Sequence, residues 1–322
     1  MPTRTTTPPP AELLAALAMA GKPQPAPAMP PVDLRLRLLT SPRLRGLLPG
    51  RLAIARAARR GRAAWEHDDA QRERALAMMR AIVAGTAREA QTSALARERV
   101  IEAHVDRTLF WRPWRAPLLD AQASARLRAA FSEERGVLLS TCHVGPYYRN
   151  ATAFARLGEP PYAVLGPWFF EPPSSDYWGR RLARWWQGAR SMVVCSKGSF
   201  ALLQALLEHG KAVYLFFDMP GARRTRFLGK PAMLADGTAR LAVAADVPVL
   251  PVRSRRVGHR VRMDVAAALD PRELGGVQEL HQALAAQHER WILELPAAMD
   301  DPAAFGWGAC ATARAWERPE RS

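Results

Sequence analysis

Cysteine is scarce in this 322-residue chain, and what there is stands apart. Cys142, Cys195 and Cys310 form no CxxC pair and no histidine-cysteine grouping at zinc-ligand spacing. That odd, scattered set excludes a disulfide framework, argues for a reducing compartment and gives no reason to expect a structural metal. Long apolar runs are missing as well. The stretch from Ala11 to Ala20 contains Glu12 and falls well short of the ~20 apolar residues of a membrane span. Pro8-Pro9-Pro10 before it, with Arg4 as the only basic residue there, argue against a signal peptide. The expectation is a soluble or peripheral protein.

Acidic residues are also in deficit. Against 46 Lys and Arg there are 30 Asp and Glu, a formal net charge of +16. From Leu34 to Trp65 there is no acidic residue at all, while the segment carries leucines together with Arg35, Arg37, Arg43, Arg45, Arg51, Arg56, Arg59, Arg60 and Arg62. Such a basic amphipathic segment suits an anionic membrane surface, and equally a solvated helical face. The charge itself attracts phospholipid headgroups, nucleic acid or an acidic carrier protein. Nucleic acid is the least expected of these, because no zinc finger, RNP-type aromatic motif or helix-turn-helix signature accompanies the charge.

What the chain does have is apolar material, 48% of its residues, enough for a large α/β core. Residues 1–33 are proline-rich and aperiodic, an extended leader. Residues 34–125 read as a basic helical N-terminal region, with Gln71 to Arg107 continuing as helix. Residues 126–315 read as an α/β core. Strands are expected at Gly136 to Thr141, Tyr162 to Leu165, Ser191 to Cys195, Ala212 to Phe217, Pro248 to Val252 and Arg260 to Val265. Helical patterns lie between them at Tyr147 to Leu157, Tyr177 to Gln187, Gly198 to Glu208 and Gly237 to Ala245, and a longer one runs from Val277 to Glu294. The alternation predicts a mixed, largely parallel sheet flanked by helices.

Two strand ends carry chemistry. Gly136 to Thr141 leads directly to His143 and the turn Val144-Gly145-Pro146, placing an imidazole at the mouth of the sheet where a general base is useful. Ala212 to Phe217 ends at Asp218, followed by a segment with Gly221, Arg223, Arg224, Arg226, Gly229 and Lys230 that reads as a loop. Its guanidiniums suit phosphate or carboxylate.

The order of these segments carries a resemblance. His143-Val144-Gly145 is followed by Ser196-Lys197-Gly198, Leu206 to Lys211, Phe217-Asp218-Met219-Pro220-Gly221 and Arg226-Phe227-Leu228-Gly229-Lys230-Pro231-Ala232. With Glu289 to Pro296 and the later Trp307, this resembles the lipid A late acyltransferase branch of the lysophospholipid acyltransferase superfamily over roughly residues 50 to 310. The resemblance implies transfer of a fatty acyl group from acyl carrier protein or acyl-CoA to a lipid or glycolipid hydroxyl or amine. It implies no metal or redox cofactor and a bacterial enzyme peripheral on the cytoplasmic face of the inner membrane. By position His143 matches the family's base, Gly145 the glycine of its motif, Asp218 the later strand-end aspartate, and Phe227 with Gly229 the Phe-Gly element. Arg149 joins Arg223, Arg224 and Arg226 as candidate substrate contacts.

One position departs from the pattern. The motif's acid, five residues after the histidine, is Tyr148 here, whose phenol accepts a hydrogen bond without supplying full charge. Three arrangements accommodate this. Another carboxylate, Asp218, Glu171 or Asp176, reaches His143 in space; or the acceptor is an amine that needs less base assistance; or the chain binds acyl groups or their carrier without turnover. Other residues have plainer readings. Cys142 and Cys195 are expected in the core, since strand neighbours face opposite ways. His67, His104, His209, His259, His281 and His288 are expected mainly at surfaces or helix ends. Trp178, Trp185 and Trp186 read as core, an interfacial belt or the wall of an acyl groove.

Overall fold

The computed structural model describes residues 49–110, 116–133, 135–158, 160–166 and 192–300. The leader, the first part of the basic segment, Glu171, Asp176, the helix expected from Tyr177 to Gln187 with its tryptophans, and Trp307 and Cys310 lie outside the described residues. The chain is α/β, with a helical N-terminal region packed on a six-stranded sheet.

Among the described residues three helices come first: α1 (Gly50–His67), α2 (Asp69–Val83) and α3 (Thr92–Phe110). The Asp68 side chain starts α2 by accepting the Gln71 N–H at 2.9 Å. Helix α1 buries only Ala53, Ala57 and Gly61, one narrow stripe of small residues. It packs closely on α3: a Cβ on Gly61 would lie 2.6 Å from the Ile101 Cα. The apolar stripe is therefore occupied by α3, and Arg51, Arg56, Arg59, Arg60 and Arg62 face outward with Leu52. The described part of the basic segment presents an exposed arginine face, which both of its readings require.

Helix α4 (Ala121–Ser132) leads into the sheet strands β1 (Val137–Thr141), β2 (Tyr162–Leu165), β3 (Met192–Cys195), β4 (Ala212–Phe216), β7 (Val249–Val257) and β8 (Arg260–Val265). Their order is β3-β2-β4-β1-β7-β8, parallel except for β8. Helices α5 (Asn150–Arg156) and α4 cover one face through Leu127, Phe131 and Phe154. Helices α2, α6 (Phe200–Glu208), α7 (Gly237–Ala244) and α9 (Val277–Glu294) cover the other through Met79, Ile82, Leu206, Leu241 and Leu284. A short helix, α8 (Pro271–Leu274), precedes α9. Among the described residues no helix is long and apolar enough to cross a membrane.

The structure corrects three expectations. The segment after Asp218 is no loop: β5 (Pro220–Phe227) and β6 (Lys230–Leu234) form an antiparallel hairpin. Its turn places Leu228 and Gly229 at φ 52° and 70°, and the strained Leu228 is fixed by burial and by Glu289, which accepts its N–H at 2.7 Å. Strand β7 continues five residues past Val252, through Arg253, Arg255 and Arg256. Finally, His281 and His288 are buried on α9. His288 Nε2 lies 2.9 Å from Ser140 Oγ on β1, and His281 Nε2 lies 2.6 Å from Thr225 Oγ1 on β5. Phe217 stacks against His288 and tilts against His281, and burial lowers both histidines' pKa to about 4.

A neutral imidazole is thus part of the seam between α9 and the sheet. His288 takes up a proton in the unfolded chain near pH 6.5 but in the native protein only near 4, so its contribution is present above the unfolded pKa and lost as pH falls between the two. The stability difference between wild type and His288→Leu is expected to shrink by about 3 kcal/mol from pH 7 to pH 4 in urea titrations.

Candidate active site

Strand register creates the site. Thr141 pairs with Phe216 in the parallel β1–β4 ladder, so His143 and Asp218, each two residues further on, emerge side by side at the C-terminal edge. The contact is double: Asp218 Oδ1 lies 2.9 Å from His143 Nδ1, and Oδ2 accepts the His143 backbone N–H at 2.8 Å. Asp218 is fully buried, a position an ionised carboxylate holds only with such donors around it. With Asp218 ionised, Nδ1 carries the ring proton and Nε2 is the basic nitrogen. The ring is sandwiched in place, stacked on Phe216 at 4.1 Å between centroids and edge-on to Tyr147 at 5.1 Å.

The turn beyond His143 is tied down from the far end of the described chain. Gly145 N–H donates to Ala298 O, and Asp300 N–H to His143 O, both at 2.8 Å. Val144 and Met299 form an isolated antiparallel bridge between them. Asp300 also accepts the Tyr147 hydroxyl at 2.9 Å. Gly145 has φ 63°, and a Cβ there would sit 2.3 Å from the Ser254 carbonyl oxygen on β7. No other residue fits this turn at such close approach.

His143 and Tyr147 border a mainly apolar cleft of about 590 Å³ between the strand ends and α6 and α7. Val164, Leu165, Phe200, Leu203, Leu215 and Leu241 line it, and Ser196 and Thr238 contribute hydroxyls. Tyr147 also borders a second, smaller cavity of about 290 Å³ with Arg99, Asp106, Phe110, Tyr148 and Asp300. There burial, reinforced by Asp300 and Glu102, raises the Asp106 pKa to about 7.

The residues singled out in the sequence divide clearly. His143 and Asp218 come together. Tyr148 turns away from the acid position: its hydroxyl donates to the Asp106 carbonyl at 3.1 Å and its ring packs edge-on to Phe110. Gly145 shapes the turn. Arg149 is buried and braces α3, donating to the Leu109 carbonyl at 2.8 Å. Arg223 is held by Asp236 at 2.8 Å and by Gln278 at 2.9 Å; Arg224 and Arg226 follow it along β5, outside the cleft lining. Phe227 is buried against Phe217, and Gly229 makes the hairpin turn. Cys142 lies in the core, where burial pushes its thiol pKa well up; Cys195 ends β3 half-buried. Tyr147 and Asp300 had no signal in the sequence, since only the return of the chain after α9 unites them. Among the described residues no group of three or more His, Cys, Asp or Glu could hold a metal ion. The chain matches no known family model and no curated protein.

Gly145→Ala is expected to cost more than Gly258→Ala, although both glycines have φ near 60°, because a Cβ at Gly258 meets nothing within 4 Å. Urea unfolding should give a loss of about 1 kcal/mol at Gly258 and 3 kcal/mol or more at Gly145.

Proposed function

We propose that this chain is an acyltransferase of the lysophospholipid acyltransferase type, moving a fatty acyl group from a thioester donor, acyl carrier protein or acyl-CoA, to a lipid or glycolipid acceptor. The observation that carries this reading is the contact of 2.9 Å between His143 Nδ1 and a fully buried carboxylate, Asp218, at the mouth of an apolar cleft. Asp218 does here what the acid five residues beyond the histidine does in the family the sequence resembles. It fixes the tautomer and offsets the positive charge that the ring gains during transfer.

In the proposed reaction His143 Nε2 takes the proton of the acceptor hydroxyl as its oxygen attacks the thioester carbonyl. The carbon–oxygen bond forms, the carbon–sulfur bond breaks, and the proton passes to the departing thiolate. The hydroxyls of Ser196 and Thr238 are donors available at the cleft to the developing oxyanion. No metal takes part in this scheme. A charge-paired base serves a hydroxyl acceptor, so the position of Tyr148 gives no reason to restrict the acceptor to an amine. The same pairing favours turnover over a remnant that only binds acyl groups. The net charge of +16 and the arginine face of α1 suit an acidic carrier protein and an anionic membrane surface, and the enzyme would act at the cytoplasmic face.

Mass-spectrometric detection of acyl transfer from acyl carrier protein and acyl-CoA into a bacterial lipid extract tests the reading. His143→Ala should remove transfer, and Asp218→Asn should reduce it by roughly 10⁴, the loss known for neutralising the aspartate of a serine protease triad. Tyr148→Phe should stay within about threefold of wild type, since its hydroxyl bonds a backbone carbonyl away from the ring. Turnover by His143→Ala equal to wild type would reject the proposal. Leu203→Trp, which fills the cleft, should shift the product toward shorter acyl chains in the same assay.

A further inference from the structure

The β7–β8 hairpin carries a second concave surface with a chemistry unlike that of the apolar cleft. Val252 and Ser254 face inward on β7, so the intervening positions turn Arg253 and Arg255 to the opposite face, where Arg262 and Asp264 of β8 stand beside them. Arg290 and Trp291 of α9 close one side and Arg126 of α4 the other, giving a cleft of about 490 Å³ that shares no lining residue with the one at His143.

Five guanidiniums converge there, and the carboxylates do not match them. Asp264 alone receives three: Arg253 Nε at 3.1 Å, Arg255 Nε at 2.6 Å and Arg262 Nε at 3.2 Å. Asp120 takes another nitrogen of Arg262, and Glu294 takes one of Arg253 at 2.5 Å. Arg126 donates to the Val265 carbonyl at 2.6 Å and Arg290 to the Gln287 amide, and neither has a carboxylate partner among the described residues. The terminal nitrogens of Arg255 likewise make no hydrogen bond within the described residues beyond its Nε contact. Arg253 is locked by its Nη1 bond to the Trp291 carbonyl at 3.1 Å and by the Trp291 ring beneath it at 5.0 Å. The result is a rigid inner wall of paired arginines and an outer rim of arginines with donors to spare. Such a surplus of planar donors in a concavity matches the tetrahedral oxygens of phosphate.

We propose that this cleft is a binding site for a phosphate or diphosphate group, carried either by a soluble phosphate ester or by a phospholipid head. The site is independent of the acyl-transfer reading, since it uses none of the groups around His143.

Calorimetric titration of the full chain with inorganic pyrophosphate, at fixed ionic strength, is the direct test. One saturable site is expected, weakened about tenfold by Arg255→Gln and again by Arg290→Gln, the size of one charge-assisted hydrogen bond each. Arg223→Gln, outside the cleft, should leave the affinity unchanged, and thermal melts of each variant should match wild type. Flotation with phosphatidylcholine vesicles, with and without phosphatidic acid, separates the sources. Capture by the phosphatidic acid vesicles that pyrophosphate releases assigns a lipid head; pyrophosphate binding without capture assigns a soluble ester. Absence of saturable binding, or equal weakening by Arg223→Gln, overturns the proposal.

Discussion

The structure depends on one buried ion. Asp218 lies fully inside the protein at the end of an apolar strand, and an unpaired carboxylate there would cost several kcal/mol. It is tolerable only because the neighbouring strand ends in the same register and turns two donors of one residue, His143 N–H and Nδ1–H, toward it. That requirement fixes the backbone after Thr141, and the backbone fixes the ring. Sheet register, turn geometry and the orientation of the imidazole are therefore one constraint seen at three scales.

The rest of the chain braces that constraint. Gly145 allows the turn to lie against Ser254, and Ser254 Oγ in turn donates to Asn150 at 2.5 Å, whose amide donates to the Tyr214 hydroxyl at 3.0 Å. This polar chain links β7, α5 and β4 beneath the histidine. The N-terminal helices contribute through Leu109 and Asp106, whose carbonyls accept from Arg149 and Tyr148. Tyr148 thus takes its place in the seam between α3 and the core.

Much of this was legible in the sequence where burial is two-sided. Continuous apolar runs such as Val137-Leu138-Leu139 have one stable use in an α/β chain, and the bounds expected for β2, β8 and α9 match those observed. Composition misled where strands face polar surroundings: β5 and the second half of β7 are rich in arginine, and their alternation is masked because one face meets solvent or a basic cleft. Asp218 was legible as a partner of His143 only as one of three carboxylates able to reach it in space. Motif spacing points to the residue five further along the chain, whereas a parallel sheet brings together positions 75 apart. Likewise His281 and His288 read as surface residues because an imidazole's polarity is visible in sequence and its hydroxyl partner across the core is not.

The strap from Ala298 to Asp300 has a consequence for the order in which the molecule is completed. Ribosomal synthesis delivers all six strands of the sheet before these residues exist, because β8 ends at Val265. His143 can meet Asp218 as soon as β1 and β4 pair. Its turn, however, gains the bridge to Met299 and the Tyr147–Asp300 bond only when α9 has docked and the chain has doubled back. Sheet and clamp are consequently drawn from different stretches of the chain: the strands that position His143 end at Val265, and the contacts that hold its turn begin at Ala298.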